Sequence, residues 1–277
     1  MLLRETPLTH LFRGQRDEAK EHIIKQYTRQ WSAVVNFLYF ANVMRGRLIE
    51  SKTQSRQADY AQALQESDFL LPDGIALQVL YRWTALGRKH KIWLANLNGT
   101  DFIPYLLQEL LVQFPDIHVG LYSSFDPSIG KGEERLEKGK KRFEEVYHRS
   151  IDFARHNDYK KSNIDEFPWE DYLSSCATRS QRVLLVCKGT PHQELRVWRH
   201  RKRFAEAGVL VINAGWWIDY LSGFERRAPR RVVKARVLET FWRVATQPQK
   251  NAKKFLVMFG VIRWGRKQLM QRFFSRK

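Results

Sequence analysis

The segment LPDGIAL sets Asp73 between Pro72 and Gly74, directly after the apolar stretch Phe69-Leu70-Leu71. A carboxylate there can cap the helix that follows, or it can take a proton from an attacking hydroxyl as the general base of an enzyme. Other polar groups recur at comparable junctions. Thr100 and Asp101 stand in NGTD, Gln193 and Glu194 close CKGTPHQE, Asp219 lies between Ile218 and Tyr220, and Asn42 follows the apolar run AVVNFLYF. Asp101 and Glu194 fall where a carboxylate would complement the positive end of a helix, and each could instead face a ligand. Arg226, Arg227, Arg230 and Arg231 bracket Ala228-Pro229. Guanidinium forks match phosphate oxygens, so the cluster reads either as a diphosphate site or as general attraction to a membrane surface.

The familiar catalytic signatures do not occur. The chain has no GxSxG elbow, P-loop, HExxH or GxGxxG after a strand, and no Asp-x-Asp of the kind that holds a divalent ion on a diphosphate. No cofactor is therefore expected, and no metal: basic side chains and helix N-termini would have to meet any phosphate.

These residues sit between apolar runs of strand length and amphipathic stretches of helix length, the alternation of a parallel sheet wrapped by helices. The predicted strands are 33–40, 69–71, 92–95, 117–121, 150–153, 183–187 and 209–212. Predicted helices include 58–65, 75–86, 101–113, 133–147, 191–206 and 216–221. The fold class is α/β, a Rossmann-like and mostly parallel sheet flanked by helices, with a basic helical C-terminal appendage. In such sheets ligands bind outside the carboxyl ends of the strands, which is where the polar segments fall.

The 277 residues carry a formal net charge of +19. From Arg226 to Lys277 there are sixteen Lys or Arg and one acid, Glu239, so this stretch holds +15 of the total. Residues 1–225 read as a Rossmann-like domain and 226–277 as a separate appendage. There Phe255, Phe259, Ile262, Leu269 and Phe273 recur at helical spacing among Lys and Arg. Such a helix suits an anionic membrane interface, and packing on the main domain is the alternative. No zinc spacing, RRM-like aromatic motif or helix-turn-helix pattern supports a nucleic acid partner. Cys176 and Cys187 are too few for a disulfide framework and read as passive, in a reducing compartment. The N-terminal residues do not have the pattern of a signal peptide, and no run is long enough to span a bilayer.

Taken in order, the segments FANVM, PDGIAL, NGTDFIPYLLQEL, CKGTPHQE and GVLVINAGWWIDYLSGFERRAPR resemble the WecG/TagA/CpsF family of bacterial glycosyltransferases. The resemblance implies transfer of a sugar, with inversion and without a required metal, from a UDP-sugar to an undecaprenyl-diphosphate-linked sugar. It makes Asp73 the catalytic base and gives Asn42 a part in sugar or acceptor recognition. It assigns Gly74, Thr100, Asp101, Gln193 and Glu194 to substrate binding, Asp219 to the uridine, and Arg226, Arg227, Arg230 and Arg231 to phosphate. It also implies a peripheral position on the cytoplasmic face of the cell membrane, and leaves homo-oligomerisation open. Two positions depart from the family pattern: Phe40 stands near its Thr, and Asn96 where an Arg precedes G-T-D. A non-catalytic sugar-nucleotide or lipid-binding relative is the alternative reading.

Overall fold

A computed structural model describes residues 6–40, 42–43, 54–123, 132–155, 169–175 and 181–225. The appendage from residue 226 onward, with its four named arginines, lies outside the described residues, as does Cys176.

Along the chain come α1 (Thr6–Thr9), α2 (Arg16–Gln30), β1 (Ala33–Tyr39), α3 (Gln54–Gln65), β2 (Phe69–Asp73), α4 (Ile75–Trp83), α5 (Ala85–His90) and α6 (Gly99–Gln113). They are followed by β3 (His118–Ser123), α7 (Gly132–Tyr147), β4 (Asp152–Arg155), α8 (Glu170–Ser175), β5 (Arg182–Cys187), α9 (His192–Glu206), β6 (Val209–Asn213) and α10 (Trp217–Leu221). Among the described residues the strands form one six-stranded sheet in the order β2-β1-β6-β5-β3-β4, and every neighbouring pair is parallel.

The central strands are apolar throughout because both of their faces are covered. Successive side chains on a strand point to opposite faces, and the packing follows that period. Val183, Leu185, Leu210 and Ile212 join Ile23 of α2, Leu106 of α6 and Phe143 of α7 on one side. Leu184, Val186, Val209 and Val211 join Trp169, and Val197 and Phe204 of α9, on the other. A smaller cluster, built around Leu38, Leu70, Leu77 and Leu80, seals the β1–β2 end. The neighbouring strands β3 and β5 thus lead into α7 and α9, which cover opposite faces. Their carboxyl ends open a crevice of the kind that binds ligands in such sheets.

Three differences from the sequence reading have physical causes. Helix α2 was not among the predicted helices: its dense charges mask the buried stripe Ala19, Ile23, Ile24 and Tyr27. Its start is a capping box, in which the Gln15 N–H donates to Glu18 Oε2 at 3.1 Å. The predicted helix 75–86 divides at Thr84, whose Oγ1 donates to the Tyr81 carbonyl at 2.6 Å and accepts from the Gly87 N–H at 3.1 Å. The predicted strand 92–95 does not form. The outer edge of β2 is taken instead by Leu11, in a parallel bridge to Leu70 with the Phe12 N–H donating to the Leu70 carbonyl at 2.8 Å, and residues 91–98 run irregularly past the end of the strand, where the Leu97 N–H reaches the Pro72 carbonyl at 2.9 Å.

The break at Thr84 brings α5 against α4 so closely that a Cβ on Gly87 would lie 2.0 Å from the Tyr81 carbonyl oxygen. Gly87→Ala is expected to cost about 2 kcal/mol of stability through overpacking, read as a lowered midpoint in urea.

Among the described residues no helix is long and apolar enough to cross a membrane.

Candidate active site

Because all six strands are parallel, their carboxyl ends share one edge of the sheet. Asp73 is the last residue of β2, level with Tyr39 of β1, and is half-buried. The cap position of α4 is occupied by Gly74, at φ 86°, which has no side chain with which to cap the helix. This left-handed φ is open to glycine and strained for most other residues, which explains the Asp-Gly order. The strand therefore ends at Asp73 and the helix begins at Ile75, so the N-cap position that the sequence left open for Asp73 falls on Gly74.

Asn96 holds this junction from the side, its Oδ1 accepting the Gly74 N–H at 2.9 Å. Leu94 and Leu97 are buried on either side and Gln78 donates to the Leu94 carbonyl at 2.5 Å, so the segment is pinned where Asn96 can reach. Asn96, which stands where the sequence resemblance expects an arginine, thus fixes the backbone beside Asp73 without adding charge.

Asn42, just beyond β1, donates through Nδ2 to Thr190 Oγ1 at 3.4 Å. Thr190 donates in turn to Glu194 Oε1 at 2.8 Å, joining the loops after β1 and β5. Gln193 ties in the loop after β6. Its Oε1 accepts from the Gly189 N–H at 3.1 Å and the Gly215 N–H at 3.2 Å. Its Nε2 donates to Glu194 Oε1 at 3.1 Å and to the Asn213 carbonyl at 3.4 Å. All four hydrogen-bonding positions of that amide are used, and the side chain is buried.

Glu194 is 1% exposed, and its Oε2 makes no hydrogen bond among the described residues. Burial pushes its pKa up to about 7, against the opposing pull of the hydrogen bonds from Thr190 and Gln193. It is thus a carboxyl group poised to change charge near neutrality.

Asp101 lies at the third position of α6, behind the cap residue Asn98. The Asp101 N–H donates to Asn98 Oδ1 and Asn98 Nδ2 donates to Asp101 Oδ2, each at 3.0 Å. Arg16 also donates to the Asp101 carbonyl at 3.1 Å. The carboxylate closes the cap reciprocally, as a helix start requires. Thr100 lies in the same first turn, half-buried.

Asp219, on α10, pairs with Arg135 at 2.8 Å, both largely buried. Arg135 and Gly139 are four residues apart on α7 and so share one face of it. Gly139 has no side chain to keep Ile218 of α10 away. The sequence reading missed Arg135, because nothing local links it to an aspartate 84 residues later.

At the crevice between β3 and β5, Lys188 Nζ lies 3.5 Å from the Tyr122 hydroxyl. Cys187 is buried and its pKa is pushed up to about 12, chiefly by that burial, so it is a neutral thiol and the passive residue expected. His192, the first residue of α9, is exposed.

A family model for the WecG/TagA/CpsF glycosyltransferases matches residues 9–274. The chain belongs to that family. It is therefore a glycosyltransferase of cell-surface polysaccharide synthesis, with a sugar donor and a lipid-linked acceptor. No curated protein matches it. Within this glycosyltransferase Asn42, Asp73 with Gly74, and the segment from Thr190 to Glu194 follow β1, β2 and β5 at the carboxyl edge of the parallel sheet.

Proposed function

We propose that this glycosyltransferase moves a sugar from a UDP-sugar to a polyprenyl-diphosphate-linked sugar, with inversion and without a metal, and that Asp73 is its base. The observation that carries this reading is the end of β2, where Gly74 takes the cap position and the Asp73 carboxylate stands at the sheet edge outside the helix. An acceptor hydroxyl that gives its proton to Asp73 attacks the anomeric carbon as the bond to UDP breaks. UDP leaves with the bonding electrons, and attack from the opposite face inverts the centre. No side chain other than the base has to change its protonation in that step.

The remaining parts follow from charge and place. The diphosphate that departs needs positive charge, and in a chain without Asp-x-Asp the arginines Arg226, Arg227, Arg230 and Arg231 are its proposed partners. Asn42, Gly74, Thr100 and Asp101 line the approach to the sugar, while Asp219, held by Arg135, is the proposed uridine contact. Gln193 and Glu194 act by holding the loops after β1, β5 and β6 in one arrangement. The basic segment 226–277 brings the enzyme to the cytoplasmic face of the membrane, where UDP-sugars and the lipid acceptor meet.

Incubating the purified chain with a panel of UDP-sugars and a lipid-diphosphate-sugar acceptor tests the reading directly. Chelator-insensitive formation of an inverted glycosidic product is expected. Absence of product with every donor, despite retained binding of UDP-sugar, would instead assign the protein a binding role.

A further inference from the structure

The surface of α4, α5 and the segment after them is built unlike the rest of the outer sheet end. From Gly74 to Thr100 the chain has no Asp or Glu, yet it contains Arg82, Arg88, Lys89 and Lys91. Helix α5 ends at Lys91, in the left-handed conformation at φ 53°, with its N–H returned to the Gly87 carbonyl at 3.1 Å. That reversal sends Ile92 and Trp93 outward, 37% and 47% exposed, while Leu94 beside them is 1% exposed. Arg82 is also exposed and holds the turn in place: it donates to the Lys91 carbonyl at 3.3 Å and lies 5.9 Å from the centre of the Trp93 ring.

The run Ile-Trp-Leu-Ala looks like a core strand in the sequence, but the sheet does not take it up. Two adjacent large apolar side chains therefore face solvent, with Arg82 against the Trp93 ring, Lys91 next to them in the chain, and no Asp or Glu in the segment from Gly74 to Thr100. An indole at the surface beside lysines and arginine is the arrangement that settles at the boundary between headgroups and acyl chains. The cations supply the matching attraction to anionic lipid.

We infer that Arg82, Lys89, Lys91, Ile92 and Trp93 form a membrane contact of the main domain, seated on an anionic phospholipid surface and separate from residues 226–277. The inference rests on the proposed reading only in taking the acceptor to lie in a membrane. Its position adds a consequence. Trp93 is three residues from Asn96, which holds the Gly74 N–H beside Asp73, so the contact orients the carboxyl edge of the sheet toward the bilayer.

Partition of the full-length chain onto phosphatidylcholine vesicles, with and without phosphatidylglycerol, tests it at limiting lipid, where the basic C-terminal segment contributes equally to every protein compared. Lys89→Gln with Lys91→Gln is expected to lower partition onto the anionic vesicles roughly thirty-fold, at about five-fold per lysine, and to leave the small partition onto neutral vesicles as it was. Trp93→Ala is expected to lower both. All three side chains are exposed, so circular dichroism and thermal midpoints should match the wild type.

Sugar transfer separates this inference from the proposed function. The variants should keep the wild-type rate on a short-chain, water-soluble acceptor and lose it on an acceptor embedded in vesicles. Absence of transfer to either acceptor by the wild type would strike the transferase reading alone, because partition still decides the membrane contact. Unchanged partition of the variants overturns the contact. So does an effect of the substitutions confined to short duplex DNA or to self-association in sedimentation.

Discussion

Asp73→Asn is expected to lower the rate of sugar transfer by roughly 10²–10⁴-fold, the range that a positioned general base contributes. The substitution keeps size and shape while removing the ability to take a proton. The loss should appear in kcat, with the KM for the donor little changed, because the donor's bonds to the rest of the site are untouched. The fold should tolerate the change: Asp73 is half-buried at a strand end, and the cap of α4 is supplied by Gly74 rather than by its side chain. Asn96→Ala makes an informative companion, since it removes the hydrogen bond to the Gly74 N–H but leaves the carboxylate in place. A pure positioning role predicts a smaller loss for it and an unshifted pH profile. Transfer by Asp73→Asn at the wild-type rate would remove Asp73 from the mechanism.

What the sequence exposed and what it hid follow from how locally each feature is encoded. Strands β5 and β6 are legible because RVLLVC and VLVIN are buried on both faces and leave almost no polar position to blur the pattern. Helix α2 was missed for the opposite reason, since its buried stripe is thin beside nine charged or amide side chains. The stretch 92–95 has the composition of a strand, but composition does not say whether a neighbouring strand has an edge to pair with. At the site, the junctions Asp73-Gly74, Thr190 to Glu194 and Asn213 to Gly215 were visible as polar segments between apolar runs. Their partners were not. Arg135 meets Asp219, Asn42 meets Thr190 and Asn36 meets Asn213 only because the topology folds distant strands and helices together. Asn36 in particular was hidden inside a run that read as a plain apolar strand.

Glu194→Gln is expected to make the protein more stable at pH 8 and to leave it about as stable at pH 5. In the folded chain burial holds the Glu194 proton up to about pH 7, whereas an unfolded glutamate releases it near 4.5. Between those values the folded state binds the extra proton, so the stability of the wild type falls as pH rises through the window. Above pH 7 the loss reaches roughly 3 kcal/mol, because each pH unit separating the folded and unfolded values is worth about 1.4 kcal/mol. A glutamine cannot ionise, so the variant's stability should be flat across the same range, with urea midpoints converging below pH 5 and separating above pH 7. The isostere can still accept from Thr190 and Gln193 through one oxygen, and its amide nitrogen falls where Oε2 already has no hydrogen-bond partner among the described residues. If the two proteins instead unfold in parallel from pH 5 to 8, Glu194 does not hold a proton in the folded state. If they separate, retention of a carboxyl group that weakens the fold at neutral pH requires a reason other than stability. The chain Asn42–Thr190–Glu194, which joins the loops after β1 and β5, places that change of charge at the active-site edge.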